Sequence, residues 1–186
     1  NNFIHQMVCD DSGNVWCIYF KSESISCIEA RSGKVSNFSI DTSPTYLFKD
    51  DMGHVWCGFQ GGIGRLAADG TIPLPYKLPD AGNADIIAVG QVGGGLWLST
   101  SEGVYVIDIV NGVSRRLPLP ASEYSAVYFD KDRGRVLLGG VDRILEVNPE
   151  IADADINQKP VLITSITVNG ERYGSPGELR DVKNIF

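Results

Sequence analysis

The 186-residue sequence repeats itself about every forty residues. DDSGNVWC at 10–17 returns as DDMGHVWC at 50–57, and GGGLWLST at 93–100 and RGRVLLGG at 133–140 keep the same glycine-to-apolar spacing. Anchored on Gly13, Gly53, Gly94 and Gly134, the steps are 40, 41 and 40 residues. Three residues after these glycines stand Trp16, Trp56, Trp97 and Leu137. A period of this length means that each unit is one supersecondary element, stable only when stacked on its neighbours.

Each unit parses into short strands. The first strands are HQMVCD, TYLFKD, DIIAVG and SAVYFD; the second are VWCIYF, VWCGFQ, LWLST and VLLGG; the third are SISCIEA, GIGRLAA, GVYVIDI and RILEVNP. These runs are rich in valine, isoleucine and aromatics, which suit a pleated, half-buried surface. No window sustains a helical period, so the chain reads as all-β. Ser32-Gly33, Asp69-Gly70 and Asn111-Gly112 favour tight hairpin turns into fourth strands KVSNFSI, TIPLPYKL and VSRRLPLP. The prolines of these fourth strands suit an outermost edge, where a missing N–H costs no ladder bond.

Four strands per forty residues predict β-propeller blades over about 3–40, 44–80, 84–120 and 125–149. The last unit has no hairpin dipeptide, so three strands are expected there, with unpaired ladder groups at the rim. A polar linker follows at 150–160. Residues 161–186 then read as the incomplete start of another module, with a strand over Val161–Val168 and a turn at Asn169-Gly170. A single blade cannot bury both faces of its sheet. Trp16, Trp56 and Trp97 are therefore expected between blades, each burying on the order of 200 Å². At about 25 cal/mol per Å² each contributes several kcal/mol. Leu137 is the smaller substitute in the last blade.

The net charge of −7 and the absence of any basic stripe beyond Arg115-Arg116 exclude a nucleic-acid surface. No apolar run is long enough to span a bilayer, and no leader is present at Asn1, which leaves the compartment open. The four cysteines, Cys9, Cys17, Cys27 and Cys57, form no C-x-x-C pair, which argues against zinc. One hairpin would set Cys17 opposite Cys27 and offer a disulfide; the alternative is that all four are small buried apolar side chains.

The acid- and glycine-rich turns carry no recognisable chemistry. Gly62-Ile63-Gly64-Arg65-Leu66-Ala67 matches a dinucleotide fingerprint on paper, but Asp69-Gly70 and TIPLP follow where a helix is required. Asp130-x-Asp132-x-Gly134 echoes a calcium loop whose twelfth position is here Val141 rather than glutamate. Asp10, Asp50 and Asp130 are expected to accept hydrogen bonds from turn N–H groups. His54, in a tight turn, is expected to be solvated.

The pattern D-x-x-G-x-[VL]-W-x-[GS]-[TF]-x-x-G-[IVL] resembles the two-component regulator propeller repeat. PVLITSITVNGERY at 160–173 resembles the start of the Y_Y_Y module, an immunoglobulin-like domain that follows that propeller. The resemblance implies the last blades of a larger, often seven-bladed propeller and the opening of the linking module. Such chains are periplasmic sensor regions of bacterial hybrid two-component histidine kinases. Implied partners are a glycan-derived oligosaccharide, the remaining blades and second propeller of the parent chain, and a second copy in a homodimer. No nucleic acid, cofactor, metal or catalytic residue is implied for this stretch, and the membrane is met only through the parent's transmembrane helix. The sequence departs from the pattern at Gln91-Val92, where other repeats carry acids, and at Leu137.

Propeller ligands meet loops at one face. The loops leading into first strands supply His5, Tyr46, Asp85 and Tyr124; those joining second to third strands supply Lys21, Gln60, Glu102, Asp142 and Arg143. Aromatic platforms and planar polar groups of this kind hold sugars. Two alternatives stand beside a sugar sensor. One is a propeller scaffold for protein contact or dimerisation. The other is a propeller lyase or glycoside hydrolase, which needs a carboxylate, histidine or metal cluster at the axis.

Overall fold

The computed structural model describes residues 3–73, 75–120, 123–130, 132–152, 166–168 and 171–173. It contains three four-stranded antiparallel sheets and one three-stranded sheet, each a meander in chain order. The first blade holds β1 (Ile4–Cys9), β2 (Val15–Tyr19), β3 (Ser24–Ile28) and β4 (Val35–Ser39). The second holds β5 (Pro44–Lys49), β6 (Val55–Phe59), β7 (Gly62–Arg65) and β8 (Pro75–Lys77). The third holds β9 (Ile86–Val92), β10 (Gly95–Thr100), β11 (Gly103–Asp108) and β12 (Val113–Arg116). The fourth holds β13 (Tyr124–Asp130), β14 (Arg135–Gly140) and β15 (Ile144–Val147), with no fourth strand among the described residues.

Beyond the blades, β16 (Ile166–Val168) and β17 (Glu171–Tyr173) form an antiparallel pair. The linker at 153–160, the strand expected over 161–165 and the turn at Asn169-Gly170 lie outside the described residues.

Blades stack through three apolar cores. Trp16, Ile18, Ile25, Leu47 and Val55 join the first blade to the second. Trp56, Ile63, Val89, Leu98 and Tyr105 join the second to the third. Trp97, Val104, Tyr124, Val136 and Leu138 join the third to the fourth. Each tryptophan thus wedges into the blade that follows it, the contact expected from the repeat. The fold positions the loops because antiparallel pairing returns every second-to-third hairpin to the end of the sheet where the inter-blade connections arrive.

The series is open at both ends, which is legible from one register position. Met7, Leu47, Val89 and Val127 are equivalent, each opposite Cys17, Cys57, Leu98 and Leu138 in turn. Leu47, Val89 and Val127 pack on the preceding blade, whereas Met7 is 58% exposed. On the opposite face Val8 and Phe48 pack on the following blade, whereas the equivalent Tyr128 is 63% exposed. Leu137 is correspondingly only half-buried.

The turn aspartates do more than accept turn N–H groups. Asp50 Oδ1 accepts from Met52 N at 3.0 Å and His54 N at 2.8 Å; its Oδ2 accepts from Trp56 Nε1 at 2.9 Å and lies 3.0 Å from His54 Nδ1. Asp10 repeats this with Ser12, Asn14 and Trp16. Burial works to raise both carboxyl pKa values, and these hydrogen bonds outweigh it and hold both below the usual carboxylate range. Asp130 accepts from the turn N–H of Arg133 and, in place of a tryptophan, from the Arg133 and Arg135 side chains, so its carboxylate is engaged rather than free for calcium.

Two expectations need correction. His54 is not simply solvated, because the Asp50 carboxylate holds its ring. The candidate disulfide does not form, and all four cysteines are free. The register pairs Trp16 with Cys27 and Cys17 with Ser26, so the two thiols point to opposite faces of the sheet.

Candidate functional site

The loop face gathers the second-to-third hairpins and the inter-blade connections. In the first blade the Lys21 ammonium lies 5.4 Å from the Phe20 ring centroid, and the His5 ring lies 6.2 Å from it. Lys21 itself has φ 53, a left-handed conformation that turns the hairpin sharply. A cation over an exposed aromatic next to an imidazole is a polar–aromatic corner, and Phe20 is the member that the sequence pattern did not single out.

Between the second and third blades, Gly61 N donates to Ala84 O at 2.9 Å, which ties the Gln60 hairpin to the connection carrying Asp85. Gln60, Asp85 and Glu102 are all exposed. Tyr46 is half-buried and packs on the core between these blades. The Arg116 guanidinium donates to the Glu102 carbonyl and stands opposite Tyr105. The Tyr105 hydroxyl is buried without a hydrogen-bond partner among the described residues. Burial pushes its pKa up; Arg116 opposes that shift, and Glu102 and Asp80 reinforce it. Tyr105, Asp80 and Arg116 were invisible in the sequence because they sit outside the two loop classes used to choose candidates.

In the fourth blade Arg143 Nε donates to Asp142 Oδ1 at 2.8 Å, an exposed pair between neighbours in sequence. Tyr124 is a correction: it is 1% exposed, and its hydroxyl donates to Pro120 O at 3.2 Å. Its ring fills the core between the third and fourth blades and presents no platform to solvent. His5 and Lys21 stand at one end of the open series and Asp142 and Arg143 at the other. The predicted residues therefore form three local groups.

Among the described residues no group of three histidine, cysteine or acidic side chains is placed to hold a metal. Grooves also run between the blades. Two of about 880 Å³ lie on the side of the turn aspartates, one between the first and second blades and one between the third and fourth. A third of about 400 Å³ is lined by Ile40, Phe59, Ile72 and Pro75.

The sequence matches no protein-family profile and no curated protein. Among solved structures it is similar to the extracellular domain of a protein of B. thetaiotaomicron assigned to the hybrid two-component systems. Identity is 26%, with a TM-score of 0.73, over 94% of this chain and 24% of that one. A second structure of that domain, assigned there to a one-component system, is matched at 26% identity over 92% of this chain. The chain thus spans about a quarter of the length of these relatives. Virginiamycin B lyase from Staphylococcus aureus is similar at 21% identity and a TM-score of 0.63, over 76% of this chain and 51% of that one, which shows the fold alone.

The sheets are β-propeller blades.

Proposed function

We propose that this chain is part of the extracytoplasmic sensor region of a bacterial hybrid two-component histidine kinase, and that it senses a glycan-derived oligosaccharide. The observation that carries the reading is the likeness, over 94% of this chain, to the extracellular domain of a hybrid two-component system. The open series of blades supports it: Met7 and Tyr128 are interface positions that further blades of the same chain would cover. The segment from 161 onward is, in this reading, the start of the Y_Y_Y module that carries the signal toward the membrane. His5 with Phe20 and Lys21, and the exposed Gln60, Asp85 and Glu102, supply the mixture of aromatic and planar polar groups that sugar hydroxyls require. Its role here is recognition rather than catalysis, with ligand binding biasing the geometry of the blades or of a dimer.

Isothermal calorimetry on the intact extracytoplasmic region with an oligosaccharide panel tests this. Saturable heat with at least one saccharide, weakened by Lys21→Ala, is the expected result. Heat from none of the panel refutes the carbohydrate reading. If the region binds no sugar and dimerises through these blades, the protein-contact scaffold replaces it.

A further inference from the structure

The third blade breaks the rule that the first two follow. Trp16 Nε1 donates to Asp10 at 3.1 Å and Trp56 Nε1 to Asp50 at 2.9 Å. In the third blade the register puts Val92 where the aspartate stands. The Trp97 indole makes no hydrogen bond among the described residues, although the residue is 1% exposed. The fourth blade removes the problem from the other side: the Leu137 side chain has no donor, and Arg135 takes the Asp130 carboxylate.

Trp97 also lacks the aromatic cover of its counterparts. Phe38 stacks on Trp16 at 6.0 Å, and Tyr76 tilts against Trp56 at 5.9 Å. The equivalent position in the third blade is Leu117, whose N–H donates to Val104 O. Trp97 instead lines one of the grooves of about 880 Å³, with Val106 and Phe129 as apolar walls and Asp108, Asn111 and Glu150 among its polar groups. A groove of the same size recurs at Trp16, so its volume is a consequence of diverging blades. The open indole donor is not. That donor opens onto the groove, where an occupant that supplies an oxygen can pair with it.

We propose that this groove binds one ring of a neutral saccharide, a hydroxyl oxygen accepting from Trp97 Nε1. The groove carries the carboxylates of Asp108 and Glu150 against the single guanidinium of Arg115, a balance that disfavours an anion, and Val106 and Phe129 suit the C–H face of a sugar ring. The groove also touches Pro149 and Glu150, where the chain leaves β15, so an occupant contacts both the third blade and the exit from the fourth. This inference rests on the saccharide reading above but assigns a place away from the loop face.

The test uses the ¹⁵N-labelled extracytoplasmic region with lactose, cellobiose and maltose as probes. Trp16, Trp56 and Trp97 each contribute an indole N–H resonance, and the signal lost in Trp97→Phe identifies the third. A saturable shift of the Trp97 resonance, with those of Trp16 and Trp56 unmoved, is expected. Val92→Asp, which restores the internal acceptor, should weaken that binding about tenfold or more. Trp97→Phe keeps an aromatic ring and loses the donor, and should weaken it similarly should Val92→Asp fail to fold. Calorimetric sugar binding with the Trp97 resonance unmoved overturns this site and leaves the sensor reading standing. No binding of any probe overturns both. A shift produced by acetate and not by sugars overturns the neutral ligand.

Discussion

Asp50→Ala tests the central claim about the turn, that a single carboxylate holds the blade hairpin and the wedge tryptophan together. The substitution removes the acceptor for Met52 N, His54 N and Trp56 Nε1, and the partner of the His54 ring. The indole N–H lies in the core between the second and third blades, where an unpaired donor costs about 1–3 kcal/mol. The two turn N–H groups regain water in part and add about 1 kcal/mol together, for a total of about 3 kcal/mol. For a chain of this size that is a fall in Tm of about 6–12 °C. The folded Asp50 pKa lies below its unfolded value, so this stabilisation is fully present above the unfolded pKa and is lost as pH falls through the folded one. The gap between wild type and variant should therefore be complete at neutral pH and narrow under acid conditions. Urea unfolding followed by tryptophan fluorescence at several pH values measures it. A loss under about 1 kcal/mol at neutral pH, or a gap that widens in acid, would refute the reasoning.

Three further outcomes follow from packing. Trp16→Ala should cost about 3–5 kcal/mol in urea unfolding, and Leu137→Ala clearly less, because Leu137 faces no following blade. Gly70→Ala should destabilise more than Gly33→Ala in thermal melts. Both have positive φ, but a Cβ at Gly70 would lie 2.1 Å from Phe38 Cγ, whereas nothing lies within 4 Å of one at Gly33. Ellman's reagent should titrate one thiol, Cys9, in the folded protein and all four after unfolding; burial of Cys57 pushes its pKa up to about 12.

Much of this fold was readable before any coordinates. The glycine-to-tryptophan spacing located the first, second and third strands, and the missing dipeptide after Asn148 accords with a last blade that shows three strands among the described residues. Cys17 and Cys27 were placed in the right strands but one residue out of register, because hairpin length leaves the pairing offset open and an offset of one reverses the face. The candidate site was less legible. Loop membership selected Tyr124, which the adjoining blade buries, and passed over Phe20 and Arg116, which lie beside His5, Lys21 and Glu102 in space.

The division has a physical cause. Strand period, turn chemistry and the recurring tryptophan are local properties, set by backbone sterics and side-chain alternation within about forty residues, so the sequence by itself determined the blades. What touches what across blades depends on the rotation between stacked sheets, which sums many weak apolar contacts far apart in the chain. Only the tertiary structure decided that Met7 and Tyr128 face outward, that the loop candidates gather in three groups, and that Trp97 keeps an unmatched donor over a groove. Val92 was visible in the sequence as a departure from the repeat; its consequence was visible only once the Trp97 indole stood where Asp10 and Asp50 serve its counterparts.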